Sequence, residues 1–272
     1  MAVGDGLERI AEGFARARAD GRRAALMPYL MGGYPDAETS RAIGLAYADS
    51  GADVVEFGVP FSDPLADGPV IHAAATAALR AGATMSAALD VAATIAQRLP
   101  VVAMCYANPI MARGPERFLD QLVAASVSGL IVPDLPLEET TDLRDGCARR
   151  GLALVPLVAP TTPDGRLARI GAAASGFVYA VSVTGTTGER AALDDAVESL
   201  VTRVRSRTSV PVAVGFGIST PEQAAAVAAA GADGVIVGSR LVRAAGEGPD
   251  PAAAAGEVVR ALSVALSRPP LG

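Results

Sequence analysis

Short apolar runs alternate with longer, alanine-rich stretches along the whole chain. Eight runs have the aliphatic and β-branched character of buried strands: residues 26–31, 54–57, 101–105, 130–132, 153–157, 177–181, 212–214 and 235–237. Most begin just after a residue that stops a helix: Gly51, Pro100, Gly129, Gly151, Gly176, Pro211 or Gly234. Between them, apolar residues recur at helical spacing in 38–49, 116–125, 138–149, 194–205 and 221–230. Strand–helix alternation builds right-handed βαβ units and a parallel sheet covered by helices. Eight strands in 272 residues predict an α/β fold, a single (β/α)8 TIM barrel over residues 1–272 with extra helices in its loops.

Two helix-to-strand junctions echo one another, Ser50-Gly-Ala-Asp-Val-Val-Glu-Phe-Gly and Ala230-Gly-Ala-Asp-Gly-Val-Ile-Val-Gly, as a repetitive barrel would show. Residues 1–20 read as an added helix with Leu7, Ile10 and Phe14 on one face, covering the lower mouth. Residues 246–272 read as a linker followed by a last helix with a frayed end.

Composition narrows the chemistry. Hydrophobic residues are 51% and charged residues 19%, against the pattern of disorder. No run approaches the ~18 apolar residues of a membrane span. The N-terminal segment carries Asp5, Glu8 and Glu12 and no apolar signal core, so a cytoplasmic protein is expected. The net charge of −6, without a basic stripe, speaks against nucleic acid. Cys105 and Cys147 lack metal or redox spacing and read as buried thiols. All 23 basic residues are arginine. Without lysine there is no Schiff base to a substrate carbonyl or to pyridoxal phosphate. With His72 as the one histidine, a zinc centre is not expected. Carboxylates, hydroxyls and backbone amides are what remain.

Barrel active sites lie at the C-terminal ends of the strands. Glu56 stands near such an end in an apolar strand, either as a structural acid held by a partner or as a general acid/base with a raised pKa. The loop after it, Gly58-Val-Pro-Phe-Ser-Asp-Pro-Leu-Ala-Asp-Gly-Pro69, exceeds a minimal connection. Its Asp67 is an N-cap for the next helix or a second catalytic carboxylate. His72 reads as a surface histidine. Gly215-Phe-Gly217 and Gly238-Ser239 each precede a helix and suit phosphate binding by backbone amides, with turn glycines as the plainer alternative. Residues 182–191 read as a polar lid in which Thr187 could meet a carboxylate and Gly188 a phosphate. Tyr106 and Tyr179 line an aromatic pocket or pack the core.

These residues have a familiar arrangement. Val55-Glu-Phe-Gly-Val-Pro-Phe-Ser-Asp-Pro-Leu-Ala-Asp-Gly-Pro69 resembles the signature loop of the tryptophan synthase alpha subunit family. Gly32-Gly-Tyr-Pro-Asp, Tyr106-Ala-Asn-Pro, Pro133-Asp-Leu-Pro, Thr184-Gly-Thr-Thr-Gly, Gly215-Phe-Gly-Ile and Gly238-Ser follow that family's order over nearly the whole chain. The chain departs from the usual pattern at Tyr34, His72 and Thr186.

The resemblance implies retro-aldol cleavage of indole-3-glycerol phosphate to indole and D-glyceraldehyde 3-phosphate, in L-tryptophan biosynthesis. It implies Glu56 as the proton carrier at indole C3 and Asp67 as the acceptor of the indole N–H. Tyr179 and Thr187 are implied as support. Gly188, Phe216, Gly217, Gly238 and Ser239 are implied for phosphate, and Tyr106 and Ile131 for the indole pocket. It further implies an α2β2 assembly with a beta subunit that alone holds pyridoxal phosphate, and no cofactor or metal in this chain. Pro60, Asp63, Pro64, Asn108 and Asp134 are implied near that interface. Composition permits this aldol chemistry, since protonated indole serves as its own electron sink. The competing readings are another phosphate-binding barrel isomerase or lyase, a ligand-sensing activator subunit without turnover, and a stand-alone indole-releasing lyase.

Overall fold

The computed structural model describes residues 5–181, 190–215 and 217–267, with residues 190–196 described through their backbone alone. Thr187, Gly188, Phe216 and residues 182–189 of the expected lid lie outside that range. Among the described residues nine parallel strands occur: β1 (Ala25–Met31), β2 (Val55–Gly58), β3 (Val101–Met104), β4 (Gly129–Ile131), β5 (Ala153–Val155), β6 (Leu157–Val158), β7 (Val178–Val181), β8 (Val212–Gly215) and β9 (Gly234–Val237). Helix α1 (Gly6–Ala19) precedes β1, and α2 (Ala37–Asp49) follows it. Helices α3 (Pro69–Arg80) and α4 (Met85–Ala96) follow β2; α5 (Ala107–Arg113) and α6 (Pro115–Ala124) follow β3. Then come α7 (Thr141–Ala148) after β4, α8 (Asp164–Ala173) after β6, α9 (Arg190–Arg205) after β7 and α10 (Pro221–Ala229) after β8. Helices α11 (Ser239–Gly246) and α12 (Pro251–Leu266) end the described chain.

The strands lie in the order β5-β4-β3-β2-β1-β9-β8-β7-β6. The two ends of that row, β5 and β6, are consecutive in the chain and separated only by Pro156. The single strand expected over 153–157 is therefore two. Proline brings no N–H to the ladder, so pairing is interrupted there. Before it, Val155 pairs with Ile131 of β4; after it, Leu157 pairs with Tyr179 of β7. One stretch of chain thus passes from one side of the ring to the other and completes the barrel.

The barrel interior is filled by residues such as Met27, Val54, Val102, Val155, Phe177 and Ile236. Helix α1 inserts Ile10 and Phe14 into the same cluster from below, with Leu7 packed against it. The Phe14 and Phe177 rings lie 6.0 Å apart. Arg9 on the opposite face donates to the carbonyls of Ala96, Leu99 and Ser126, fastening α1 to the ends of α4 and α6. The lower mouth is closed by packing and by these caps.

The repeated Gly-Ala-Asp junctions do the same job twice. Asp53 accepts the Leu26 N–H at 2.8 Å, and Asp233 accepts the Val212 N–H at 3.0 Å. Each aspartate ties the start of its own strand to the start of the strand beside it. Asp53 is also gripped by both Arg22 terminal nitrogens at 2.7 Å in a buried pair. Burial raises the Asp53 pKa and Arg22 opposes that rise, the usual competition in a buried ion pair.

Two of the five expected helical stretches start three or more residues from expectation. The stretch 138–149 opens as a 3-10 turn, Leu137–Glu139, after Pro136, and Thr140 donates its hydroxyl to the Leu137 carbonyl. That local bond delays the α-helix to Thr141. Helix α9 starts at Arg190, ahead of residue 194. No helix among the described residues is long and apolar enough to cross a membrane.

Candidate active site

Strand β2 carries Glu56 on the inner face of the barrel, two residues before the strand ends. Its register neighbours are Tyr29 on β1 and Val102 on β3. Glu56 is 3% exposed. Burial, and secondarily the charge of Asp67, pushes its pKa up to about 8. A structural acid held by a cation is thereby set aside, since its environment favours the protonated form.

The loop that follows brings the second carboxylate over the first. Gly68, not Asp67, is the N-cap of α3, and Pro69 opens the helix with no side-chain cap. The capping alternative for Asp67 is therefore not realised. Its carboxyl instead bonds the Tyr106 hydroxyl, and that hydroxyl accepts the Ala66 N–H at 3.0 Å. The Tyr106 ring meets Phe61 at 5.4 Å between centroids. Tyr106, expected as a pocket wall, thus anchors the loop that carries Asp67. Burial raises the Asp67 pKa to about 6, restrained by the Tyr106 bond and by His72. His72 is exposed on α3 but close enough for its charge to reach Asp67.

The order of ionisation follows. Asp67 releases its proton first, while Glu56 is neutral and does not oppose it. Glu56 must then ionise against an existing negative charge in a buried site. Near pH 7 the pocket holds one carboxylate and one carboxylic acid, a division of labour typical of paired catalytic carboxyls.

Two tyrosines complete the inner wall by the same device. Tyr29 leans along β1 until its hydroxyl reaches the space beside Gly58, where any Cβ would collide with it. Tyr179 leans along β7 toward Gly215, where a Cβ would stand 2.5 Å from its hydroxyl. Gly215, expected to let backbone approach a ligand, instead makes room for Tyr179. Both tyrosines are buried, and burial together with the charges of Glu56 and Asp67 raises both pKa values well above normal. Tyr29 escapes a reading by motif because a lone tyrosine in an apolar strand has no local signature. Ile131 lies fully buried on β4 in the inner layer.

At the far side of the mouth, the two expected phosphate turns are not equivalent. Helix α10 satisfies its own first turn through a Thr220–Gln223 capping box. Helix α11 begins after Gly238 with no side-chain cap, and its first bonds to Gly238 come from the Leu241 and Val242 amides. The amides at Ser239 and Arg240 thus precede the helical ladder, which is where anions bind. Gly238 has an ordinary negative φ of −110°, and a Cβ there would meet nothing nearer than 3.7 Å. Its bareness keeps that approach open. Gly217 has φ +75°, which only glycine adopts readily.

On the outer rim, Asp63, Asn108 and Asp134 are exposed and Pro60 is half-buried. Pro64, implied near the interface with them, is buried, whereas Leu65 and Ala66 after it are exposed. Asp134 accepts the Ala107 N–H at 2.9 Å, joining the loops after β3 and β4. Leu65 is 84% and Met111 49% exposed, two apolar side chains on this rim that sequence reading did not single out. No group of three or more metal-ligating side chains occurs among the described residues.

Comparison with known proteins agrees with this geometry. The family model described as "Tryptophan synthase alpha chain" matches residues 14–265. The tryptophan synthase alpha chain of Prochlorococcus marinus strain MIT 9313 is 52% identical over 236 residues, 86% of each chain. That of Synechococcus elongatus is 50% identical over 235 residues, 86% of this chain and 88% of the relative. Among solved structures, Mycobacterium tuberculosis tryptophan synthase superimposes with a TM-score of 0.88 at 39% identity, over 96% of this chain and 99% of that one. A Legionella pneumophila tryptophan synthase alpha chain gives 0.84 at 33% identity, over 95% and 97%. With a motif match and a superposition that both run nearly end to end, the chain belongs to the tryptophan synthase alpha chain family.

Proposed function

We propose that Glu56 and Asp67 carry, in this chain, the alpha half-reaction of its family: retro-aldol cleavage of indole-3-glycerol phosphate to indole and D-glyceraldehyde 3-phosphate. The observation that supports it most is the split pair, an acid at Glu56 and an anion at Asp67 in one pocket. Glu56 gives its proton to indole C3. Positive charge then develops toward the indole nitrogen, whose N–H donates to the Asp67 carboxylate. The Glu56 carboxylate takes the proton from the side-chain hydroxyl next to C3. The C–C bond breaks as that carbon becomes an aldehyde, and the bonding pair returns to the ring to restore indole. Electrostatic stabilisation by a fixed carboxylate is strongest in such a water-poor site.

Phosphate is held by the backbone at Gly217, Gly238 and Ser239, with Gly188 and Phe216 as further contacts. Tyr179 positions Glu56, Thr187 closes onto Asp67, and Ile131 walls the indole pocket. The chain needs no cofactor of its own; lacking lysine, it cannot form the pyridoxal Schiff base of a second half-reaction. That group belongs to a beta subunit, with which the chain forms an α2β2 assembly in the cytoplasm. Exposed Leu65 and Met111 beside Asp63 and Asn108 support a docking rim there, since exposed apolar patches mark partner surfaces. The test is indole release from indole-3-glycerol phosphate by the purified chain, with and without a beta subunit. Absence of indole under both conditions overturns the reading.

A further inference from the structure

Tyr29 has no assigned role, yet it is built into the site as firmly as either carboxylate. It pairs in register with Glu56, so the two side chains are immediate neighbours on the inner face. Side chains in a strand lean along its direction, and here the phenol reaches forward to Gly58, two residues beyond Glu56 on the same face. The ring therefore crosses the mouth side of Glu56. Ile71, Ala74 and Ala75 of α3 and Val242 of α11 share its apolar cluster. The Tyr29 carbonyl is fixed from outside by the Tyr47 hydroxyl at 3.1 Å. Among the described residues its own hydroxyl is bonded to the Met31 sulfur alone, at 4.0 Å. A well-bonded phenol would be explained by that bond. This one is held by shape.

We propose that Tyr29 is a positioning residue whose ring caps Glu56 on the solvent side and keeps water off the carboxyl that serves as the acid. The proposal rests on the assignment of Glu56 made above. Among the described residues, the groups around Glu56 include Tyr29 from β1, apolar Val102 from β3, Tyr179 from β7 and Asp67 from the overlying loop. Tyr106 and His72 act on Asp67 and reach Glu56 through it. Of these, Tyr29 is the neighbour that combines register contact with a bulky ring toward the mouth. Gly58 is explained by the same arrangement, because any larger residue would displace the phenol.

The experiment follows the Glu56 carboxyl itself by carbon-13 NMR in the full chain, its signal assigned by loss in Glu56→Gln. In the wild type the midpoint is expected near 8, as burial dictates. Tyr29→Phe keeps the ring and is expected to leave the midpoint in place. Tyr29→Ala admits water and is expected to lower it by about one unit or more, with the alkaline limb of kcat/KM moving alongside. If Tyr29→Ala fails to fold by circular dichroism, Gly58→Ala, which drives the phenol from its slot, is expected to lower the midpoint likewise. An unchanged midpoint in a folded Tyr29→Ala or Gly58→Ala protein overturns the proposal. So does an equal drop in Tyr29→Phe, which would assign the effect to the hydroxyl. Retained cleavage by Glu56→Gln would instead overturn the assignment of the acid, and the titration of Glu56 distinguishes the two failures.

Discussion

Glu56 keeps its proton up to about pH 8, while Asp67 in the same pocket loses its own near pH 6. The reaction proposed above calls for the first protonated and the second ionised. Below about pH 6 protonation removes the Asp67 anion, and above about pH 8 ionisation removes the Glu56 acid. A bell-shaped kcat/KM profile with limbs near those values is expected. A profile flat from about pH 5 to 9 would sink the two-carboxylate assignment.

Glu56→Gln is expected to cut indole release by at least about 10²-fold, the lower range for loss of a general acid. Glycerol phosphate should still bind. The same variant reports on stability. In the unfolded chain Glu56 releases its proton near 4.5, against about 8 in the fold. The folded state therefore holds the proton more tightly, and the resulting stability is complete below about pH 4.5 and lost as pH rises through 8. Glutamine never ionises. The gain in Tm of Glu56→Gln over wild type should grow between about pH 5 and 8.5, as thermal unfolding at both values would reveal.

Asp53→Asn should destabilise the barrel without touching chemistry. It leaves the Arg22 guanidinium buried beside a neutral partner. Breaking one side of a buried ion pair costs about 3–5 kcal/mol. Urea denaturation gives the number directly. A loss below about 1 kcal/mol would mean that water solvates Arg22 in the variant.

Phosphate affinity should depend on backbone rather than on charge. Gly238→Val places a side chain in the open approach to the uncapped start of α11 and is expected to weaken glycerol phosphate binding at least about tenfold. Arg240→Ala should change it by less than about threefold. Calorimetric titration of both variants tests this, and the reverse ranking would reveal a cationic clamp.

Asp63→Ala is expected to spare the fold and phosphate affinity but weaken activation by a beta subunit. Asp63 is exposed on the loop whose other end is Asp67, next to the apolar tip at Leu65. A coupling loss of about 1–3 kcal/mol fits ordinary allosteric magnitudes. Indole release is measured for the isolated variant and then at saturating partner. Equal rates to wild type in both conditions would make Asp63 a plain surface residue.

Sequence alone determined the alternation of strand and helix, the placement of Glu56 at a strand end and the elaborate loop leading to Asp67. These depend on apolar runs, helix stops and loop length, which are local in the chain. It also excluded imine chemistry, because the absence of lysine is visible without any fold. Tertiary structure decided what depends on neighbours distant in sequence. Pro156 reads as part of one strand until β4 and β7 are seen to claim its two sides. Gly215 reads as a place for a ligand or a turn until Tyr179 is found in the space beside it, and nothing in the sequence marks Gly58 as the slot for Tyr29. Asp67 reads equally well as a helix cap until Gly68 takes that position and Tyr106 bonds the carboxyl. Pro64 reads as an interface residue until the fold buries it. In each case the deciding contact is set by strand register and loop path, so residues tens of positions apart determine whether a space is open, filled or charged.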